Sequence, residues 1–346
     1  MTFEPLLELT RGQIVESRHF GALAIADVEG RLLASVGDPY AVVFLRSSAK
    51  PFQALSLIES GAADAYGFTP REISVACASH VGAAIHLETV RGMQAKVGLT
   101  ENDLGCGAHW PDDAAEHARL TRAHAQPTPL YNNCSGKHTG MLAQAKHRGW
   151  PLENYLAFEH PLQQTILRDF AELCDVAPDE IQLGVDGCSA PNFAVPLVNA
   201  ATAFARLANP VGLPPARERA LRAIFHAMNS EPEMVQGPGG FDTELMRAMP
   251  GALVIKRGAE GYAGVALAPG VLGAGSPALG LVFKVMDGSA RATPLIALEA
   301  LRQLGALPER ARAQLAPFGF SLPQTQTNWR GLEVGAARPV FTLHRA

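Results

Sequence analysis

Lysine is scarce in this chain. Of 29 basic residues only six are lysines: Lys50, Lys96, Lys137, Lys146, Lys256 and Lys284. They form no run, and the net charge is −4 with an isoelectric point near 6.3. A nucleic-acid binder needs a concentrated Lys/Arg footprint, so no nucleic-acid partner is expected. Charged residues make up 18% and hydrophobic ones 47%, the balance of an ordinary globular protein rather than a disordered one. Cysteine is also sparse. Cys77, Cys106, Cys134, Cys174 and Cys188 are an odd number, which argues against a disulfide framework and leaves metal binding, catalysis or plain burial. The opening stretch "MTFEPLLELTRGQIVESRHF" lacks a basic segment followed by an apolar one, so a cytoplasmic address is expected. One uncharged stretch, Tyr262 to Phe283, is long enough to cross a bilayer. Pro269, Pro277 and several glycines break it into two strands joined by a loop, so no membrane partner is expected.

The pattern along the chain predicts an α+β fold. "GQIVESRHFGALAIADVEGRLLASVGD" alternates and turns at Glu29-Gly30, as a β-hairpin does. From Lys50 to about Ala227 apolar residues recur at three and four, as in "AAIHLETVRGMQAKVG", "SGKHTGMLAQAKHRG", "LQQTILRDFAELCDV" and "PARERALRAIFHAMNS". Thr100 and Pro214-Pro215 are start signals. Strands return after Gly240 in "GALVIKRGAEGYAGVALA" and "LGLVFKVMDG", followed by a helix over "TPLIALEALRQLGAL" and a last strand in "GLEVGAARPVFTL". We therefore expect one domain over 1–346, with an antiparallel sheet drawn from 1–49 and 240–346 and a mainly helical part over 50–239.

The lysines carry the first chemical signal. In "VVFLRSSAKPFQAL" Ser47 and Lys50 are three apart, the spacing that brings a serine and a lysine one helical turn apart. A neutral lysine can take the proton of a serine nucleophile, and arginine cannot, because it does not give up its own proton. Lowering the lysine pKa needs burial or positive potential, which a helix N-terminus supplies. A lone S-x-x-K is weak, since 14 serines and six lysines give roughly a quarter of such a pair by chance. The plain alternative is a capping serine followed by an exposed lysine. Pro51 even disfavours helical geometry at Lys50. The second signal is "VIKRGAEG", where Lys256 stands on a strand before Arg257-Gly258. An S-x-x-K helix with a K-[TS]-G strand is the active-site set of serine β-lactamase-like enzymes, and Arg257 departs from it by lacking the hydroxyl. The plain alternative for Lys256 is an edge-strand lysine that blocks aggregation.

Two loops are dense in chemistry. "YNNCSGKHTGML" groups Asn132, Asn133, Cys134, Ser135, Lys137, His138 and Thr139 at a helix entry, and "VDGCSAPNFAVPL" groups Asp186, Cys188, Ser189 and Asn192. Burial is the usual fate of a lone thiol. Two thiols set among glycine and polar residues fit zinc, and by chemistry alone Cys134, His138 and Cys188 would be its ligands, with one position open.

In combination "RSSAKPFQ", "CASHVG", "NNCSGKHTGML", "DGCSAPNFAVPL", "GPGGFDTELM" and "KRGAEG" make the chain resemble, over nearly its whole length, the bacterial L-asparaginase family typified by the inducible rhizobial enzyme. The resemblance implies a serine β-lactamase/penicillin-binding-protein-like fold and a homodimer. It implies two catalytic Ser–Lys pairs, Ser47 with Lys50 and Ser79 with Lys256. It implies zinc held by Cys134, Lys137 and Cys188, which displaces His138 as a ligand and requires a deprotonated lysine. Arg46, Asp186 and His138 are then substrate-binding residues. The implied activity is hydrolysis of L-asparagine to L-aspartate and ammonia. A zinc-binding protein without catalysis, a hydrolase of another small amide, a penicillin-directed enzyme and a zinc amidohydrolase without a serine nucleophile are the alternatives.

Overall fold

The computed structural model describes residues 2–346. The chain divides into two compact units. The first takes the chain up to Ser48, Val195–Asn209 and Glu244–Ala346; the second takes Ala49–Ala194 and Pro210–Thr243. The stretch Val195–Asn209, read from sequence as part of the helical middle, belongs to the sheet-bearing unit.

The first unit is built on a nine-stranded antiparallel sheet. Its main path runs Gln324–Thr327, Glu333–Pro339, Glu4–Arg11, Ile14–Ala26, Leu279–Val285, Tyr262–Leu267 and Leu253–Gly258. Leu32–Val36 adds to Ile14–Ala26, closing the hairpin expected at Glu29-Gly30, and His344–Arg345 adds to Leu32–Val36. The uncharged stretch from Tyr262 is two strands of this sheet, paired Tyr262↔Lys284 to Leu267↔Leu279. Among the described residues no helix is long and apolar enough to cross a membrane. Strand Ile14–Ala26 alternates exposed and half-buried positions at its start, then buries every residue from Gly21 to Ala26. Burial of consecutive residues requires cover on both faces, because neighbouring side chains point to opposite sides. Helix Leu197–Ala208 packs on the central strands, and helix Thr293–Leu304 packs against Glu4–Arg11 and Glu333–Pro339.

The second unit is mostly helical, with helices at Pro70–Ala76, Ala84–Val97, Ser135–His147, Pro161–Cys174 and Pro215–Ser230. The four periodic stretches quoted above are four of these. Thr100 opens only a 3-10 turn, Glu101–Asp103, where Asp103 folds back on the Thr100 amide. Phe52, Phe170 and Phe193 stack in series, with ring centroids 5.8 and 4.9 Å apart. Each such ring buries enough apolar surface that truncation to alanine costs about 3–5 kcal/mol. The stack fixes the turn that carries Lys50 and the strand Pro191–Pro196 after Cys188 to one helix. Gln53 adds a tie, donating to Pro191 O at 3.2 Å. Farther out, buried Arg217 pairs with Glu59, Asp169 and Glu172. Burial outweighs Arg217 at Asp169 and lifts its pKa to about 6.

Candidate active site

The first unit holds Arg46, Ser47 and Lys256. Arg46–Ala49 is a 3-10 turn, and Arg46 has φ +52°, a left-handed conformation that costs a non-glycine residue energy. Ser47 is half-buried, and Ser48 beside it donates to the backbone carbonyl of Lys256. Lys256 lies on the end strand of the sheet path, yet its side chain is only 1% exposed. It is therefore no solvent-facing guard of an edge. Its amine donates to Arg257 O at 2.7 Å. Gly258 explains the glycine of the K-x-G pattern. A Cβ there would lie 2.5 Å from Leu45 O and 3.3 Å from Ser48 N, so only glycine lets the strand approach the serine turn this closely.

In the second unit Lys50 opens a short helix, Lys50–Gln53. The extended geometry expected from Pro51 is not observed. Pro51 sits in the first turn, where the N–H it lacks would have no intrahelical partner. Lys50 is fully buried, and its amine meets three acceptors: Ala78 O at 2.5 Å, Ser79 Oγ at 2.9 Å and Asn133 O at 3.5 Å. The Cys134 thiol is a further polar neighbour of the same amine, and the lysine helps to hold its pKa down.

Next to this pair is a histidine layer that the sequence reading left out. His80 Nδ1 accepts the Gly82 N–H and its Nε2 faces Ser135 Oγ at 2.9 Å. His86 stacks on it at 5.0 Å, accepting the Ala83 N–H and facing Glu233 O. Burial, then neighbouring positive groups, holds the His80 pKa well below its ordinary value, and burial lowers that of His86. Both rings are used as neutral imidazoles.

Cys134, Lys137 and Cys188 converge, all buried, with Lys137 Nζ 3.1 Å from Cys188 Sγ. The hydrogen bond between the two sulfurs holds the Cys134 pKa well below the thiol range and raises that of Cys188. Burial works to lower the Lys137 pKa, but Cys134 and Cys188 outweigh it and take it up to about 12. Cys134 Sγ also lies 3.0 Å from Asn133 Oδ1, a contact that needs a thiol. The adjoining ammonium and thiol favour a thiolate, which the Asn133 amide would serve if its O and N were exchanged. Asp186 stands 3.9 Å from Cys188 Sγ in a turn completed by Ser189 at φ +68°. Gly136 lets this helix start against Val75, whose carbonyl would lie 2.3 Å from an added Cβ. All five cysteines are free and buried.

Among the described residues no three His, Cys, Asp or Glu side chains are placed to hold a metal. The pair of thiols needs Lys137 to make three donors. Two sulfurs and an amine, buried together and each able to lose a proton, fit a soft cation such as zinc with a position left open. His138 lies beside these donors, next to Cys188. Its Nδ1 meets the Tyr155 hydroxyl at 2.5 Å, and its Nε2 is buried without a hydrogen bond. Burial takes its pKa down to about 4, although the Cys188 thiol nearby works the other way. Tyr155 itself also receives the Gly105 N–H. Neither Tyr155 nor the loop at Gly105 carries a motif that sequence spacing could have revealed.

A family model described as L-asparaginase II matches residues 7–339. The chain belongs to the L-asparaginase II family. No curated protein matches it. Among solved structures the chain is similar to a probable glutaminase from Bacillus subtilis complexed with 6-diazo-5-oxo-L-norleucine, at 10% identity over 83% of this chain and 84% of that one, with a TM-score of 0.39. It is also similar to a β-lactamase from Mycobacterium bovis, at 14% identity over 86% of this chain and 94% of that one, with a TM-score of 0.42. These likenesses are remote, and membership rests on the sequence match. As an L-asparaginase II member the chain is an amidohydrolase, and a small amide is its class of substrate.

Proposed function

We propose that the chain hydrolyses L-asparagine to L-aspartate and ammonia by acyl transfer to a serine. The observation that carries this reading is the placing of Lys50, a buried amine 2.9 Å from the Ser79 hydroxyl and set against the carbonyls of Ala78 and Asn133. On the S-x-x-K spacing, Ser47 is the nucleophile. Its Oγ bonds to the side-chain carboxamide carbon while its proton passes to Lys50 by way of the Ser79 hydroxyl that the amine faces. The C–N bond then breaks, and Ser79, recharged by Lys50, delivers that proton to the departing nitrogen. Water cleaves the resulting ester, releasing aspartate and restoring the serine. Lys256 is assigned by the resemblance to the same proton traffic, and Arg46, Asp186 and His138 to substrate binding.

Cys134, Cys188 and a deprotonated Lys137 would hold a zinc ion, which when bound would supply positive charge for the substrate's carboxylate or a contact for its amine. A homodimer and a cytoplasmic setting belong to the same proposal and rest on the resemblance alone.

The test is ammonia release from L-asparagine, L-glutamine and D-asparagine by the wild type, Ser47→Ala and Ser79→Ala, with intact-mass detection of an acyl-enzyme. Release from L-asparagine, with an adduct that maps to Ser47, is the expected result. Release from glutamine alone would change the substrate, and an adduct on Ser79 would exchange the two serines. No release from any of the three would leave a zinc-binding protein or another amide.

A further inference from the structure

The loop Gly105–Pro111 and the turn Asn132–Cys134 hold each other through reciprocal bonds. Asn132 Nδ2 donates to Cys106 O at 2.9 Å and to Gly107 O at 3.0 Å. In return His109 Nε2 accepts the Asn133 backbone N–H at 2.9 Å. The other ring nitrogen, Nδ1, faces Trp110 O at 2.8 Å and so must carry the hydrogen. The ring is thus engaged at both nitrogens and fixed in one neutral tautomer. Asn133 is the residue that connects this loop to the amine. Its carbonyl accepts Lys50 Nζ at 3.5 Å and the His80 N–H at 3.3 Å. The Lys50 contact is the longest of the three around the amine and sits at the limit of a hydrogen bond, so a small shift of Asn133 removes it.

We propose that His109 is a positioning residue for the Lys50–Ser79 pair. By holding Asn133 it places a carbonyl 3.5 Å from Lys50 Nζ, beside Ala78 O and Ser79 Oγ, and so fixes where the amine sits relative to Ser79. The inference rests on the reading of Lys50 as the proton-handling group. His109 itself need touch no substrate.

The decisive variants are His109→Leu, which removes the acceptor at similar size, and His109→Gln, which keeps it. A glutamine Oε1 can accept the Asn133 N–H while its Nε2 donates to Trp110 O. His109→Leu should lower kcat for L-asparagine about tenfold with KM within twofold and an unchanged melting midpoint, and His109→Gln should recover most of the loss. A readout independent of substrate is the rate at which a sulfonyl fluoride modifies Ser47 or Ser79, followed by mass. His109→Leu should slow it by a similar factor. If the wild type is labelled but releases no ammonia from L-asparagine, the asparaginase reading falls while slower labelling in His109→Leu still supports the positioning role. Labelling of His109→Leu at the wild-type rate, a His109→Gln variant as defective as His109→Leu, or a loss of kcat matched by a lowered melting midpoint would each overturn it. A wild type whose serines resist the reagent and that releases no ammonia from L-asparagine would overturn both readings.

Discussion

Each unit buries a lysine almost completely, Lys50 at 0% and Lys256 at 1% exposure, with Lys137 at 4% a further one in the second unit, and the first two are held in different ways. Lys50 presents its amine to a hydroxyl and two carbonyls. Lys256 gives its amine to the carbonyl of the next residue, while its own carbonyl receives the Ser48 hydroxyl. Through that carbonyl the Lys256 residue also frames the Arg46–Ala49 turn, so its backbone has a part in the fold beside its amine.

The largest test of that contrast is to remove each amine. Lys50→Met should lower kcat/KM for L-asparagine by about a thousandfold without unfolding the protein, and Lys50→Arg should restore nothing because a guanidinium keeps its proton. Lys256→Ala should cost less, about a hundredfold, and equal losses would erase the distinction drawn here. Lys137→Met should next show whether the thiol cluster takes metal. Zinc content by elemental analysis should fall to near zero in that variant, and an unchanged stoichiometry would remove Lys137 from the donor set. Gly258→Ala should then lower activity at least tenfold or the melting midpoint by several degrees, since an added Cβ meets Leu45 O at 2.5 Å. A neutral result there would show that the strand can give way.

The smallest expected effect is on stability against pH. His80 and His86 have folded pKa values below the ordinary 6.5, so the unfolded chain binds protons first as pH falls. Their stabilisation is complete above about pH 6.5 and is lost as pH drops toward the folded values. Asp169, raised to about 6, has the opposite sign and offsets part of this between pH 6 and 4. Urea unfolding at pH 7.5 and 5.5 should show a lower unfolding free energy at the acid end. A flat profile would mean that the two imidazoles lose no hydrogen bonds on protonation.

Much of the frame was legible from residue patterns. The 3.6-residue period located four helices of the second unit, and the glycine and proline breaks in Tyr262–Phe283 identified two strands. Pro51 misled, because the rule for a residue before proline yields when that residue itself starts a helix. Scarcity singled out Lys50, Lys137 and Lys256, and for each the structure finds a buried amine. It pairs Lys50 with Ser79, however, which lies 29 positions away. Fixed spacing cannot show a contact made by tertiary packing. His109 and Tyr155 were missed for the same reason, since each acts on a backbone group or ring far along the chain.

The sheet of the first unit also has a consequence for how the protein is made. Strand Ile14–Ala26 leaves the ribosome before its neighbour Leu279–Val285, which follows roughly 250 residues later. At about 5–20 residues per second, that delay is on the order of ten to fifty seconds. Throughout it the apolar run Ala22–Ala26 has one edge without its native partner. A nascent chain of this kind should depend on holding chaperones more than the finished protein does. Slow translation between the two strands should lower yield without altering any residue of the molecule that results.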